Sequence, residues 1–481
     1  MSKFRVLLFF LFVGFTLTAQ VKKWTLQECV AYALENNISI KQAQLDVESS
    51  EIAKSDAIGN YLPSLNASAG NSWNTGLTQD VTTGVLRTQT SRNSSYGITA
   101  SITVFNGLRN LREAQRAKIS NLASRYNLKK MEDDITLFVA NSYLQVLFNK
   151  ANLEVIKSQN EVTSEQIIRT NELVESGVLP RGDLLEIRAT DANEKQQIVV
   201  AENNVKISLI SLAQLLAMQS YEDFDIANDE YSIIGGDFLL KDVSEIIESA
   251  KNSRTEVKIA EQNVLLAMNF LKITRANYYP TVSAFFNYNT RESGSNRFVQ
   301  TVDPANPTIT TQIGVVEATG QSVVATTPNF IIQELPPLPY FDQLYLNDGV
   351  SYGLQLNIPV FNGFSTRNSV KRSKIDVKRT QFQLEQARLD LESNVYQAYV
   401  DAKGALKAYE SAESALESQV LAYQYAKDRY DVGLTNAFDF SQSKLRYDNA
   451  KIEVNRAKYD YIFKLKVLEL YFGISATELK F

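Results

Sequence analysis

The chain has 481 residues, a formal net charge of -5, a single cysteine (Cys29) and no histidine. This inventory excludes histidine-based catalytic triads, histidine metal ligands and an internal disulfide, so we expect no enzyme, no cofactor and no metal site. The net negative charge also argues against nucleic acid as a partner.

The first residues have the pattern of a secretory signal peptide. Lys3 and Arg5 precede an apolar run over residues 6–17, and Thr18-Ala19-Gln20 follow it. We predict a signal peptide over residues 1–19, because the run is too short for a membrane-spanning helix and lies at the extreme N-terminus. No later stretch approaches twenty apolar residues, which argues against a helix that crosses a membrane.

The next segments are predicted as a helix, two strands, a long helix and a returning helix. Residues 26–62 lack proline and end before Pro63, a residue that cannot continue a helix. Apolar and polar side chains alternate from Tyr96 to Phe105, which predicts a strand, and the stretch after Pro63 alternates more weakly. Residues 108–176 and 181–217 again lack proline and predict the two later helices.

The second half of the chain repeats the first. Residues that recur at fixed offsets include Tyr96, Gly107 and Gly177, which match Tyr352, Gly363 and Gly433, and Asn60 and Pro63, which match Asn277 and Pro280. We therefore predict the same helices over residues 243–279, 364–432 and 437–473. A change of offset places an insertion at residues 291–348, whose prolines predict a long irregular loop.

The duplication predicts the domain organisation. Repeat 1 covers residues 20–217, and repeat 2 covers residues 243–481 with the long loop at 291–348. We predict that residues 218–242 connect the two repeats.

The strands have one apolar and one polar face, with aromatic residues near their ends. This pattern fits a transmembrane barrel with a wet lumen, although a half-buried strand of a soluble sheet gives the same pattern. Four strands cannot close a barrel, because the smallest barrels need about eight. The barrel must then be shared among subunits, and the sequence alone does not choose between two chains and three.

Several motifs resemble the TolC-like outer-membrane efflux protein family. They are Trp24-Thr25-Leu26-Gln27-Glu28-Cys29, Ala33-Leu34-Glu35-Asn36-Asn37, Ile358-Pro359-Val360-Phe361-Asn362-Gly363 and Arg429-Tyr430-Asp431-Val432-Gly433-Leu434-Thr435. The resemblance implies an α+β, internally duplicated fold. Four transmembrane strands per chain would contribute to a trimeric twelve-stranded barrel, and long periplasmic coiled-coil helices would form an α-barrel tunnel.

The resemblance also implies a function and partners. The chain would be the passive outer-membrane exit duct of a tripartite efflux or type I secretion system, extending into the periplasm. It would form a homotrimer in outer-membrane lipid and be opened by a periplasmic adaptor protein and an inner-membrane pump. The transported substrate would be chosen by the pump and cannot be read from the duct.

By the same resemblance, the turns between the long and returning helices form the periplasmic tip where the adaptor docks. The matching residues are Gly177, Val178 and Leu179 in repeat 1, and Val432, Gly433, Leu434 and Thr435 in repeat 2. A glycine that only ends a helix is the alternative interpretation. Repeat 1 departs from the pattern, because Pro180-Arg181-Gly182 replaces Asn436-Ala437-Phe438.

The same resemblance implies that acidic residues just past each turn form the gate at the narrowest point of the tunnel. They are Asp183 and Glu186 in repeat 1 and Asp439 in repeat 2, with Tyr430 as the candidate for a hydrogen-bonded latch. A carboxylate that satisfies free amides at a helix start is the alternative for each aspartate.

Two other classes of protein remain as alternatives. A secreted coiled-coil scaffold or adhesin would explain the helices but would leave the alternating strands without a purpose. A glycosidase would need a pair of carboxylates at suitable spacing, and no such pair stands out.

Overall fold

The computed structural model describes residues 22–79, 86–228 and 239–474. The predicted signal peptide and part of the predicted connection at residues 218–242 lie outside these ranges. The chain divides into two units. We call them the helical unit (Met1–Lys54, Arg116–Met268 and Lys374–Phe481) and the strand unit (Ser55–Gln115 and Asn269–Ser373).

The order of elements follows the sequence duplication, and the fold is α+β. The first half contains β1 (Lys23–Trp24), α1 (Leu26–Asn36), α2 (Ile38–Gly59), β2 (Ser64–Gln79), β3 (Leu86–Phe105), α3 (Arg109–Glu175), α4 (Arg181–Leu215) and β4 (Asp225–Ile226). The second half contains α5 (Val243–Ser253), α6 (Thr255–Ala276), β5 (Thr281–Ser293), β6 (Arg297–Val302), β7 (Thr308–Val315), β8 (Ser322–Pro328), β9 (Phe330–Leu335), α7 (Tyr340–Leu346), β10 (Gly349–Asn357), α8 (Ser365–Asp431) and α9 (Ala437–Phe472).

The long helices α3 and α8 confirm the predicted rods of equal length. Each has 67 residues, which corresponds to about 100 Å. Both follow a left-handed turn, at Gly107 and Gly363, and both end before another, at Gly177 and Gly433. The predicted ends were correct to one residue, because these glycines mark positions with positive φ that favour glycine.

The first helix of each repeat is broken, which corrects the prediction of one continuous helix over residues 26–62 and over 243–279. Asn37 and Arg254 adopt extended backbone, with ψ of 133° and 134°. The Asn37 side chain donates 2.8 Å to the Leu215 carbonyl and accepts from the Ser39 amide at 2.9 Å. The Ser39 bond satisfies an amide at the start of α2, and the Leu215 bond joins the break to the end of α4. Neither break contains the proline or glycine that marks a helix end in sequence.

The core of the helical unit lies where the returning helices pack on the long ones. In repeat 1 the buried Tyr143 hydroxyl donates to the carbonyls of Trp24, at 3.2 Å, and Ala227, at 3.1 Å. Its repeat 2 equivalent, Tyr399, donates to the Leu239 carbonyl at 3.4 Å. Strand β4, which lies within the inter-repeat connection, pairs in parallel with β1, so this part of the connection is tied to the start of repeat 1.

The strand unit contains one antiparallel four-stranded sheet in the order β10-β5-β3-β2, which confirms the four predicted strands. The cross-strand register puts apolar residues of all four strands in one row and polar residues in the next. The apolar row is Leu65, Ala100, Phe286 and Tyr352, and the polar row is Asn66, Thr99, Asn287 and Ser351. The sheet therefore has one apolar face, which is largely exposed in the single chain, and one polar face.

The insertion at residues 291–348 is regular, so the prediction of an irregular loop was wrong. Strand β6 pairs with β9, β7 pairs with β8, and α7 lies on β5 through a bond of 2.6 Å from Thr290 to the Leu344 carbonyl. Threonine, valine and isoleucine favour these strands. The prolines lie at strand ends and in connections, where a missing amide donor disrupts no ladder.

Helix α4 is long and apolar enough to cross a membrane by length and composition. By that criterion, the expectation that no later stretch could do so was wrong. In the structure α4 packs on α3: the Lys157 ammonium lies 2.8 Å from the Glu202 carboxylate, and Asn149 donates to the Asn204 carbonyl at 3.4 Å. Several apolar side chains of α4, among them Val199, Val200 and Ile207, remain exposed in the single chain.

Candidate functional site

The two predicted tip turns share one backbone geometry. Gly177 and Gly433 have φ of 76° and 75°. The amides one residue later, at Val178 and Leu434, each donate 2.8 Å to a carbonyl five residues back, at Leu173 and Arg429. This is the Schellman pattern, so the helix-cap interpretation describes the backbone of both turns correctly.

The side chains of the turns are not explained by the cap. The exposed fractions are 67% for Val178, 70% for Val432 and 70% for Leu434, whereas Leu179 and Thr435 are half-buried. In a Schellman motif the residue after the glycine often makes an apolar contact with the preceding turn. Here that residue extends into solvent in both repeats, which leaves two apolar groups free at the surface of the chain.

The turns differ at the start of the returning helix, as the sequence departure predicted. In repeat 2 the Asn436 side chain accepts from the Asp439 amide at 2.8 Å, and the Thr435 hydroxyl donates to the Asp439 carboxylate at 3.4 Å. In repeat 1 the cap position is Pro180, which has no side-chain acceptor. Repeat 2 therefore has the more strongly fixed turn.

The three predicted gate carboxylates lie at or near the surface of the chain. Glu186 and Asp439 are exposed, and Asp183 is half-buried. Within the described ranges, neither aspartate carboxylate accepts a bond from a backbone amide, so a side-chain cap does not account for them. Both still lie in the first turn of a helix, where the helix dipole favours a negative charge.

Tyr430 lies in the interior of the helical unit. Its hydroxyl and that of Thr170 are 2.8 Å apart, and its ring stacks on Phe440 with centroids 5.0 Å apart. Ile187 and Ala437 complete this buried cluster. Burial raises the pKa of the Tyr430 phenol above its usual range, so the group stays neutral and holds its hydrogen bond.

An ion pair that the sequence did not indicate lies beside this bond. Arg169 donates 2.8 Å to the Asp431 carboxylate and 3.2 Å to the Asp431 carbonyl. Arg169 and Thr170 on α3 thus bind Asp431 and Tyr430 on α8. Two consecutive residues on each long helix connect the two hairpins next to their tips.

A buried polar cluster further along the helices was also missed by the sequence analysis. The Lys444 ammonium donates to the Gln159 carbonyl at 2.6 Å, to the Thr163 hydroxyl at 2.7 Å and to Glu194 at 3.1 Å. Lys444 and Glu194 are only 5% and 3% exposed. The cluster joins α3, α4 and α9, and its charges would be costly to bury without these bonds.

Asp448 lies one helical turn after Lys444 and is also buried. In the described part of the chain, its Oδ2 atom has no hydrogen-bond partner. Burial raises the pKa of this carboxyl to about 6, and Lys444 only partly opposes the effect. The nearby Tyr423 ring stacks on Tyr447, with centroids 4.9 Å apart.

Comparison with known proteins gives consistent matches over most of the chain. A family model described as "Outer membrane efflux protein" matches residues 30–218 and 340–473. Protein CyaE of Bordetella pertussis is 23% identical over 417 residues, which covers 85% of this chain and 75% of that protein. Outer membrane protein TolC of Vibrio cholerae is 22% identical over 346 residues, covering 70% of this chain and 67% of that protein.

Solved structures have the same fold. The outer membrane channel CmeC of Campylobacter jejuni superposes with a TM-score of 0.69 at 16% identity, covering 93% of this chain and 85% of that one. The open state of the MtrE outer membrane channel of Neisseria gonorrhoeae gives 0.68 at 16% identity, covering 94% and 89%.

Proposed function

The chain belongs to the outer membrane efflux protein family, whose members are exit ducts of efflux or secretion systems, and we propose that three copies of it close into one duct. The observation that carries this proposal is the sheet of the strand unit. Its apolar face suits lipid and its polar face suits a water-filled lumen. Strands β2 and β10 lie at its edges, and each has one neighbour among the described strands. In a ring of copies, β2 of one chain would pair with β10 of the next, so neither edge would remain open.

The family to which the chain belongs and the number of strands in its sheet both support a homotrimer. Four strands from each of three chains give a twelve-stranded barrel, which is large enough to close around a lumen. The family and the fold are those of outer-membrane channels that extend into the periplasm. For this chain we propose a passive duct without catalytic activity or cofactor. Its repeats cover residues 20–217 and 243–481, joined through 218–242, after cleavage of a signal peptide at 1–19.

The tip turns are the proposed docking site for a periplasmic adaptor, which would work with an inner-membrane pump. Val178 and Leu434 support this assignment, because exposed apolar side chains on a rigid turn suit contact with a partner protein. Gly177 and Gly433 would fix the backbone, and Leu179, Val432 and Thr435 would flank the contact. Repeat 2 would bind more strongly, because Asn436 and Thr435 hold its turn in one conformation.

The gate is proposed to have two parts with different tasks. Asp183, Glu186 and Asp439 would face the lumen, and three chains would bring up to nine carboxylates around the axis, which would favour cations. Tyr430 would act as the latch through its bond to Thr170, assisted by Arg169 and Asp431. Opening would then require the two hairpins to separate near their tips.

Membrane fractionation tests this function. We expect the protein in the outer-membrane fraction, released only by detergent, because the apolar face of its sheet would be in lipid. A secreted scaffold or adhesin would instead leave the membrane without detergent, and that result would exclude the duct.

A further inference from the structure

A cleft in the strand unit combines apolar and cationic side chains. It lies where β3 passes into α3, beside the end of α6, and has a volume of about 350 Å³. Phe105, Leu108 and Tyr279 supply apolar surface, and Arg112, Lys272 and Arg275 supply positive charge. Such a combination suits a ligand with an anionic group and a hydrocarbon part.

The apolar wall continues the apolar face of the sheet. A bulge between Thr103 and Phe105 shifts the register, so that Phe105 pairs with Val282, which in turn pairs with Leu356. This shift places Phe105 in an apolar row of the sheet. The cleft is therefore the helix-proximal end of the surface that faces lipid in the duct.

The backbone at the cleft is held in a strained conformation. Gly107 and Leu108 both have positive φ, of 67° and 65°, and this region is unfavourable for leucine. A Cβ atom on Gly107 would lie 2.8 Å from the Tyr279 Cβ and 2.9 Å from the Ala276 carbonyl, so the turn packs closely on the end of α6. The Leu108 side chain is 53% exposed in the single chain and borders the cleft.

The cations are available for an external anion. Arg112 lies in the first turn of α3, four residues after Leu108, and Arg275 lies in the last turn of α6, four residues before Tyr279. Throughout the ranges that the structure covers, Arg112, Lys272 and Arg275 have no carboxylate within ion-pair distance. Arg112 donates instead to the Gln115 side chain at 2.8 Å.

The surrounding helix ends are strongly basic, in contrast to the negative chain as a whole. Residues 106–115, 269–279 and 362–373 contain seven lysines and arginines and one carboxylate, Glu113. Glu113 is already paired with Arg109 at 2.8 Å. Basic residues next to a membrane surface attract anionic lipids.

We propose that this cleft binds one anionic phospholipid of the periplasmic leaflet. The lipid phosphate would be held by Arg112, Lys272 and Arg275, and the first acyl carbons would cover Phe105, Leu108 and Tyr279. The cleft lies where β3 ends and just before β5 begins, and these are the two central strands of the sheet, so closure of a ring through the edge strands would leave it open to lipid. This assignment adds a specific ligand to the proposed duct and rests on its membrane position.

The test is native mass spectrometry of the full, detergent-purified protein titrated with phosphatidylglycerol or phosphatidylcholine. We expect one phosphatidylglycerol per chain, bound at least about tenfold more tightly than phosphatidylcholine. The triple variant Arg112→Gln, Lys272→Gln, Arg275→Gln should lose this preference. The matched triple variant Arg188→Gln, Lys206→Gln, Lys378→Gln removes the same charge elsewhere and should keep it.

Two further measurements on the unaltered protein test the proposal even if the triple variant does not fold. In the unaltered protein, raising the salt concentration should weaken phosphatidylglycerol binding, because the phosphate contact is electrostatic. Inorganic phosphate should displace the lipid only weakly, because it makes no apolar contact. Equal binding of both lipids, salt-independent binding, or displacement by phosphate at the lipid's own concentration would overturn the proposal.

Discussion

The hydroxyl groups of Thr170 and Tyr430 lie 2.8 Å apart in the interior of the helical unit and connect α3 with α8. The adjacent pair, Arg169 and Asp431, connects the same two helices at the surface. One bond is buried and neutral, and the other is exposed and ionic. The proposed gate depends on the buried bond, because exposed ion pairs contribute little to stability.

Tyr430→Phe should make the duct leakier or raise its bilayer conductance without changing ion preference. The change removes one hydroxyl and leaves the Thr170 hydroxyl without its partner, at about 1 kcal/mol per bond. Tyr425→Phe is the control, because Tyr425 is exposed on the same helix. Thr170→Val combined with Tyr430→Phe should add little to either single change. Full additivity would mean that the two hydroxyls do not act together.

Asp183→Asn, Glu186→Gln and Asp439→Asn together should abolish cation selectivity in bilayer recordings. These changes keep size and hydrogen-bonding capacity while removing the negative charge proposed around the lumen. Asp46→Asn, Glu48→Gln and Glu385→Gln remove the same charge from other exposed positions and should leave selectivity intact. If the first variant stays as cation-selective as the unaltered duct, the three carboxylates lie away from the constriction.

Leu434→Asp should abolish export while the protein still inserts in the outer membrane. A docked adaptor would remove water from a carboxylate at this exposed position and would offer it no opposite charge, which is unfavourable. Leu434→Met keeps an apolar side chain and serves as the control. Val178→Asp should have a smaller effect, because its turn lacks the Asn436 cap. Intact export in cells that carry Leu434→Asp would remove the docking assignment.

Asp448→Asn should stabilise the protein at pH 7.5 and leave its stability unchanged near pH 4. The pKa of the Asp448 carboxyl is raised by burial to about 6, so the folded chain binds this proton more tightly than the unfolded chain. The proton on Asp448 stabilises the folded chain fully at a pH below the pKa of this carboxyl in the unfolded chain. This stabilisation is lost as the pH rises through 6. The ionised group then costs at most about 3 kcal/mol per chain.

Thermal unfolding at several pH values checks this prediction. Asp401→Asn is the control, because it removes a carboxylate from an exposed position on α8. An equal effect of Asp448→Asn at pH 4 and pH 7.5 would show that the carboxyl titrates normally.

The ends of the long helices could be predicted almost to the residue because each is marked by a glycine in the local sequence. Gly107, Gly177, Gly363 and Gly433 occupy positions with positive φ, and such positions favour glycine in any context. The breaks at Asn37 and Arg254 depend instead on tertiary bonds, such as the one from Asn37 to the Leu215 carbonyl. A single sequence does not reveal partners so far apart.

The candidate site was only partly predictable for the same reason. The tip turns and the surface position of Glu186 and Asp439 follow from helix ends. The burial of Lys444, Glu194 and Asp448 does not, because charged residues on a helix are normally on its solvated face. Only the packing of α3, α4 and α9 makes that face an interior.

The most direct test of the trimeric duct is the mass of the complex extracted from outer membranes in mild detergent. Native mass spectrometry should give three times the mass of one mature chain, because each chain supplies four strands and leaves two sheet edges open. A monomer or a dimer under the same conditions would contradict the trimeric duct.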